Sequence, residues 1–120
     1  MGRFNEFQRN LKKLGITFTE RLVDYALYRR RLESFDYDMV IIVEGKFTLP
    51  DAANIDSLYG SKSAREEGGN NFRGVQSPAV DALIRRLADA QSLDELRTAA
   101  RALDRVVMWN HWQVPDLYFS

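Results

Sequence analysis

Three places in this chain hold side chains from which chemistry can be built. Asp36 and Asp38 fall on one face of an extended segment, a spacing that can set two carboxylates side by side as general acid and base. Glu44, Gly45, Lys46 and Phe47 place opposite charges around a glycine, a combination able to grip the termini or polar groups of a ligand. Asn110, His111 and Trp112 form the third place, with Trp109 just before them. His111 is the only histidine, and no Ser, Cys or second His is near it. That makes a poor catalytic triad or metal site, so packing or ligand lining is the expected role. Trp109 and Trp112 are three apart, which predicts neighbouring positions on one helical turn, for core packing or as a stacking surface.

The second of these places sits at the end of the stretch that organises the rest. From Phe35 to Gly45 the chain has a short unbroken apolar centre, Met39 to Val43, rich in β-branched residues and closed by glycine. It predicts a strand buried on both faces, as in parallel sheets between helices. Ligand contacts in such sheets lie just past the carboxyl ends of strands, which favours 44–47 as a binding position. Asp36 and Asp38 stand at the opposite end, where a turn and strand entry accounts for them better.

Ahead of that strand, Phe4, Phe7, Leu11 and Leu14 recur at helical spacing and Gly15 marks the stop, with Lys12 and Lys13 at the negative end of the dipole. Ile16 to Val23 is a first strand candidate, with Ile16, Phe18 and Leu22 pointing one way. Asp24 caps a helix reaching about Ser34, with a stripe of Tyr25, Tyr28, Leu32 and Phe35. Arg29, Arg30 and Arg31 fan over roughly 300 degrees of that helix, so a solvated face is expected rather than an anion site. Strand, helix and strand in this order predict a right-handed parallel crossover and an α/β fold.

Past Gly45 regularity is lost. Residues 46–76 are punctuated by Pro50, Asp51, Gly60, Gly68, Gly69 and Gly74 and are expected as one long loop. Gly68-Gly69 lacks the strand before it and the Gly-Lys-Ser/Thr after it that a phosphate loop needs. Order returns with Ser77-Pro78, a capping serine and a proline at the first helical position. Ser92 and Glu95 form a capping box for a last helix, whose inner stripe is Leu96, Ala99, Leu103, Val106 and Val107. Gln91 and Ser92 are too short a link for anything but a helical hairpin over 77–111. Residues 112–120 are expected to be extended, with apolar side chains needing a partner surface.

The totals narrow the possibilities. With 120 residues this is one domain by length. Seventeen basic and 17 acidic residues cancel, against the strongly basic face that nucleic acid requires. Cysteine is absent, which removes disulfides, thiolate catalysis and zinc–cysteine sites. No apolar run approaches the roughly 20 residues needed to span a bilayer, and Met1 to Glu6 has no apolar signal core.

Several runs then resemble one family in order and spacing. Leu11-Lys12-Lys13-Leu14-Gly15-Ile16, Arg21-Leu22-Val23-Asp24, Arg31-Leu32 and Phe35-Asp36-Tyr37-Asp38-Met39 are similar to extracellular solute-binding proteins of family 5, the peptide- and nickel-type receptors of ABC importers. Ser77-Pro78-Ala79-Val80-Asp81-Ala82-Leu83-Ile84 and Arg101-Ala102-Leu103-Asp104-Arg105-Val106, followed by Trp109-Asn110-His111, fit as well. The last run resembles the branch for oligopeptides and microcin C. The resemblance covers about Phe4 to Pro115. It implies a carboxyl-terminal fragment of one lobe of a type II periplasmic binding protein, a strand-helix-strand unit plus helical hairpin.

By the same resemblance the whole receptor captures a peptide or peptide-like solute between two lobes and delivers it to an ABC permease, in the periplasm, without cofactor, metal or catalysis. Oligopeptide receptors carry a tryptophan and an aspartate after the buried strand, the aspartate meeting the peptide's amino terminus. Here that region reads Glu44-Gly45-Lys46-Phe47-Thr48-Leu49-Pro50 and has neither at the matching place, which leaves Glu44 or Asp51 as substitutes. Two other classes stand beside this one: a small hydrolase using Asp36, Asp38 or His111, and a structural, self-associating piece with exposed edges.

Overall fold

The structure, a computed structural model, describes residues 3–43 and 49–115. Its elements are helices α1 (Arg3–Lys13), α2 (Tyr25–Glu33), α3 (Ala52–Tyr59), α4 (Pro78–Ala88) and α5 (Leu93–Trp109), with a short 3-10 helix at Ser63–Arg65. The chain divides into two compact units, Met1–Arg30 and Arg31–Ser120.

In the first unit, α1 ends where Gly15 takes a φ of 77°, a left-handed conformation that glycine adopts without steric cost. The Gly15 amide donates to the Lys12 carbonyl at 3.0 Å and the Ile16 amide to the Leu11 carbonyl at 3.0 Å, satisfying two of the last helical acceptors. Phe7 and Phe18 meet edge to face at 5.6 Å between ring centres. Asp24 caps α2 as its sequence position predicts, its carboxylate accepting from the Leu27 amide at 2.9 Å. No residue from 4 to 30 is buried.

The second unit holds the core. Val75, Val80, Ile84, Leu87, Ala99, Leu103 and Val107 form one buried cluster, contributed mainly by α4 and α5. The two helices pack as the expected hairpin. Ser77 accepts from the Val80 amide at 3.5 Å, and Ser92 accepts from the Glu95 amide at 3.2 Å. The Glu95 carboxylate reaches back to the Gln91 amide at 2.8 Å, so the capping box closes one residue early.

Two expectations are corrected. Among the described residues there is no strand, so the strand-helix-strand unit is not formed. Ile16–Val23 and 39–43 are irregular, and Ile16, Leu22, Met39, Ile41 and Val43 are all exposed. A strand exists only through the neighbour that pairs its amides and carbonyls, and an apolar run by itself does not provide one.

The supposed loop at 46–76 also contains α3 and the 3-10 turn. Asp51, first read as loop punctuation, is an N-cap whose carboxylate accepts from the Ala53 amide at 3.2 Å. The stretch beyond α3 is tied down by one buried side chain, Asn71. Its amide group donates to the Gly60 carbonyl at 3.0 Å and the Val75 carbonyl at 2.9 Å, and accepts from the Val75 amide at 3.0 Å. The Ser63 hydroxyl lies 2.9 Å from the Gly60 carbonyl and 3.0 Å from that of Asp56. Gly60 is required here, because a Cβ at that position would stand 2.6 Å from the Asp56 carbonyl oxygen.

Candidate functional site

Of the residues expected to line a ligand, Glu44, Gly45, Lys46 and Phe47 lie outside the described residues. The other three sit at the end of α5. Asn110 caps the helix: its backbone amide donates to the Val106 carbonyl at 3.2 Å and its side-chain amide to the same oxygen at 2.8 Å. The chain then turns through His111, whose φ of 54° is uncommon for a side-chain-bearing residue. His111 is exposed and its backbone amide donates to the Met108 carbonyl at 3.1 Å. Trp112 is half-buried and packs on the core cluster. Trp109, the last helical residue, is 79% exposed. The helix stops between the two tryptophans, so they do not share a turn as their spacing predicts.

The carboxylates of the hydrolase reading are engaged or solvated. Asp36 pairs with the Arg31 guanidinium at 3.5 Å, and Asp38 is exposed. Among the described residues, no group of three His, Asp or Glu is gathered that could hold a metal ion.

The structure adds a feature that sequence reasoning missed. An open groove of about 230 Å³ runs between α3, α5 and the segment after α5, lined by Pro50, Ile55, Tyr59, Leu103, Val107 and Gln113. The Tyr59 hydroxyl donates to the Gln113 side-chain carbonyl at 2.7 Å across 54 positions of sequence. On the other side of Tyr59, the Arg73 guanidinium stands 4.8 Å from the ring centre. Asp104 is the one charged residue lining the groove, so its walls suit an apolar side chain. Ile55 and Tyr59 at helical spacing after the Asp51 cap were the available signal for this wall. Nothing local in the sequence announces Gln113.

Comparison with known proteins gives this end of the chain its context. The chain is 42% identical over 112 residues to a probable peptide-binding protein, YejA, of Agrobacterium fabrum, covering 93% of this chain and 18% of that protein. It is 42% identical over 110 residues to a putative binding protein of Brucella melitensis, covering 91% of this chain and 18% of that one. The chain is a homologue of these binding proteins. A further relative, the peptidoglycan-binding protein YepA of Agrobacterium fabrum, is 34% identical over 114 residues, 95% of this chain and 18% of its own length. No family model matches the chain. It therefore spans about a fifth of the length of the curated binding-protein relatives it matches, and those relatives are named for binding rather than for catalysis.

Proposed function

We propose that this chain is a carboxyl-terminal part of one lobe of a periplasmic receptor that captures peptides or peptide-like solutes and passes them to an ABC permease. The observation that carries this reading is the 42% identity, over 93% of the chain, to a protein named for peptide binding. The name of the YepA relative extends the ligand class to peptide-like material from the cell wall. Affinity in such a receptor comes from two lobes closing on the ligand, and one lobe supplies half of the contacts. On this reading 44–47 and 110–112 contribute to one wall of the cleft, with no reactive group. The test is a chimera in which this chain replaces the matching part of the Agrobacterium peptide-binding relative. Calorimetry against a peptide library is expected to show binding by the chimera and none tighter than millimolar by this chain alone. A folded chimera that binds no peptide, or micromolar binding by the chain alone, would overturn the reading.

One observation favours a second behaviour for the chain in isolation. Met39, Ile41 and Val43 are 61%, 56% and 83% exposed in an uncharged run with high strand propensity, the composition of a self-pairing edge. Sedimentation is expected to show dimers or larger species, and a monomer at high micromolar concentration would count against this.

A further inference from the structure

The first unit has helices without a core to hold them. α1 is eleven residues long, below the roughly 12–15 at which an isolated helix becomes even marginal in water. Its stripe of Phe4, Phe7, Leu11 and Leu14 is covered in part by Phe18, through the Phe7–Phe18 contact, yet no residue from 4 to 30 is buried and Leu14 is 74% exposed. Ordering a backbone costs about 1–2 kcal/mol per residue, and in proteins the packing of an apolar face offsets that cost.

Charge is uneven as well. Residues 1–30 contain seven Lys or Arg against three Asp or Glu, a net of +4, and the remaining 90 contain ten against fourteen, a net of −4. The neutral total conceals a basic first unit. On α1, Arg9, Lys12 and Lys13 stand on the side opposite the apolar stripe.

We propose that the apolar stripe of α1 is a docking surface, and that its occupant is the remainder of the longer receptor polypeptide. This rests on the receptor reading given above. The chain accounts for about 18% of the length of its relatives, so four-fifths of a comparable polypeptide is available to cover the stripe. The complementary surface is apolar where it meets Phe7 and Leu14 and acidic where it borders Lys12 and Lys13. The basic first unit would then be matched within one polypeptide rather than by a nucleic acid or a lipid surface.

Hydrogen exchange read by mass spectrometry decides this, on the chain alone and on the chimera described above. In the chain alone, amides of residues 5–13 are expected to exchange at least about tenfold faster than those of residues 97–107, because only the latter belong to a helix with a buried face. In the chimera, residues 5–13 are expected to slow by about tenfold or more, with residues 97–107 changing less. Leu14→Ser, at a position already exposed in the chain alone, should leave the chain alone unchanged and reverse part of the slowing in the chimera.

Equal protection of both helices in the chain alone overturns the proposal, as does a chimera in which residues 5–13 stay fast. If the chimera does not fold, the intact Agrobacterium relative against its own matching segment supplies the same comparison. Peptide binding by the chimera is read separately. Slowed exchange without peptide binding keeps the docking surface and removes the receptor reading, whereas binding with α1 still fast removes the docking surface alone.

Discussion

α1 and α4 are both eleven residues long, and each carries an apolar stripe opposite a charged face. α4 buries Val80, Ile84 and Leu87 against α5, while no residue of α1 with a described side chain is buried. Periodicity is a property of one segment, and burial is a property of two. The spacing of apolar residues announces a helix and the face it will use, but whether that face is covered depends on what else is present. The same contrast separates Leu103, 5% exposed within the core, from Leu14, 74% exposed at the end of a helix.

The sharpest way to break this comparison is to truncate both leucines. Leu103→Ala is expected to cost about 3 kcal/mol, because the removed methyl groups leave a cavity between α4 and α5. Leu14→Ala is expected to change stability by no more than about 0.5 kcal/mol. Urea unfolding followed by far-ultraviolet circular dichroism measures both, and equal costs would show that α1 is packed after all.

A smaller effect is expected at Asn71, which holds the connection between α3 and α4. Asn71→Ala removes three hydrogen bonds and leaves the Gly60 and Val75 carbonyls and the Val75 amide without that partner. The expected loss is about 2 kcal/mol, the desolvation cost of buried groups left unmatched. Asn71→Asp tests the direction of the bonds, since it retains the acceptor for Val75 and loses both donors. A melting temperature unchanged in both variants would mean that the 60–75 connection contributes nothing to the core beside it.

Caps sharpen the comparison further, since each unit has one that was legible from sequence. Ser92→Ala should cost about 1 kcal/mol of global stability, because α5 belongs to the core. Asp24→Ala removes a bond of the same kind from α2, in which Leu32 alone is buried. It should lower helix content with a smaller change in the urea midpoint. If Asp24→Ala shifts the midpoint as much as Ser92→Ala, the first unit unfolds together with the core.

These cases also show what the residues disclosed. Both caps, the Gly15 stop and the hairpin over 77–111 were legible, since each depends on residues within a few positions of one another. α3 was overlooked although Asp51 precedes Ile55, Leu58 and Tyr59 at helical spacing, because Pro50, Asn54 and Gly60 dominate the local composition. The strands were expected from β-branched runs whose pairing partners a single segment cannot supply. At the candidate site, Trp112 was singled out correctly as a residue that matters, but it packs on the core rather than joining Trp109. The Tyr59–Gln113 bond closes across 54 positions, a distance over which no local pattern carries information.

The weakest expected effect probes the first unit from within. Burial raises the pKa of the Tyr28 phenol; Arg29 pulls it down and Tyr25 adds to the rise, leaving a net upward shift. The folded state therefore binds the phenol proton more tightly than the unfolded state does. The stability this contributes is fully present below the ordinary tyrosine value of about 10, and it is lost as pH rises through the higher folded value. Titration of Tyr28 by NMR should place its ionisation above that of the same residue in urea, and Tyr28→Phe should remove the corresponding alkaline loss of helix content. Ionisation at or below the urea value would mean that the first unit shields nothing, and that its helices need the rest of a longer chain even more than the exposure of Leu14 implies.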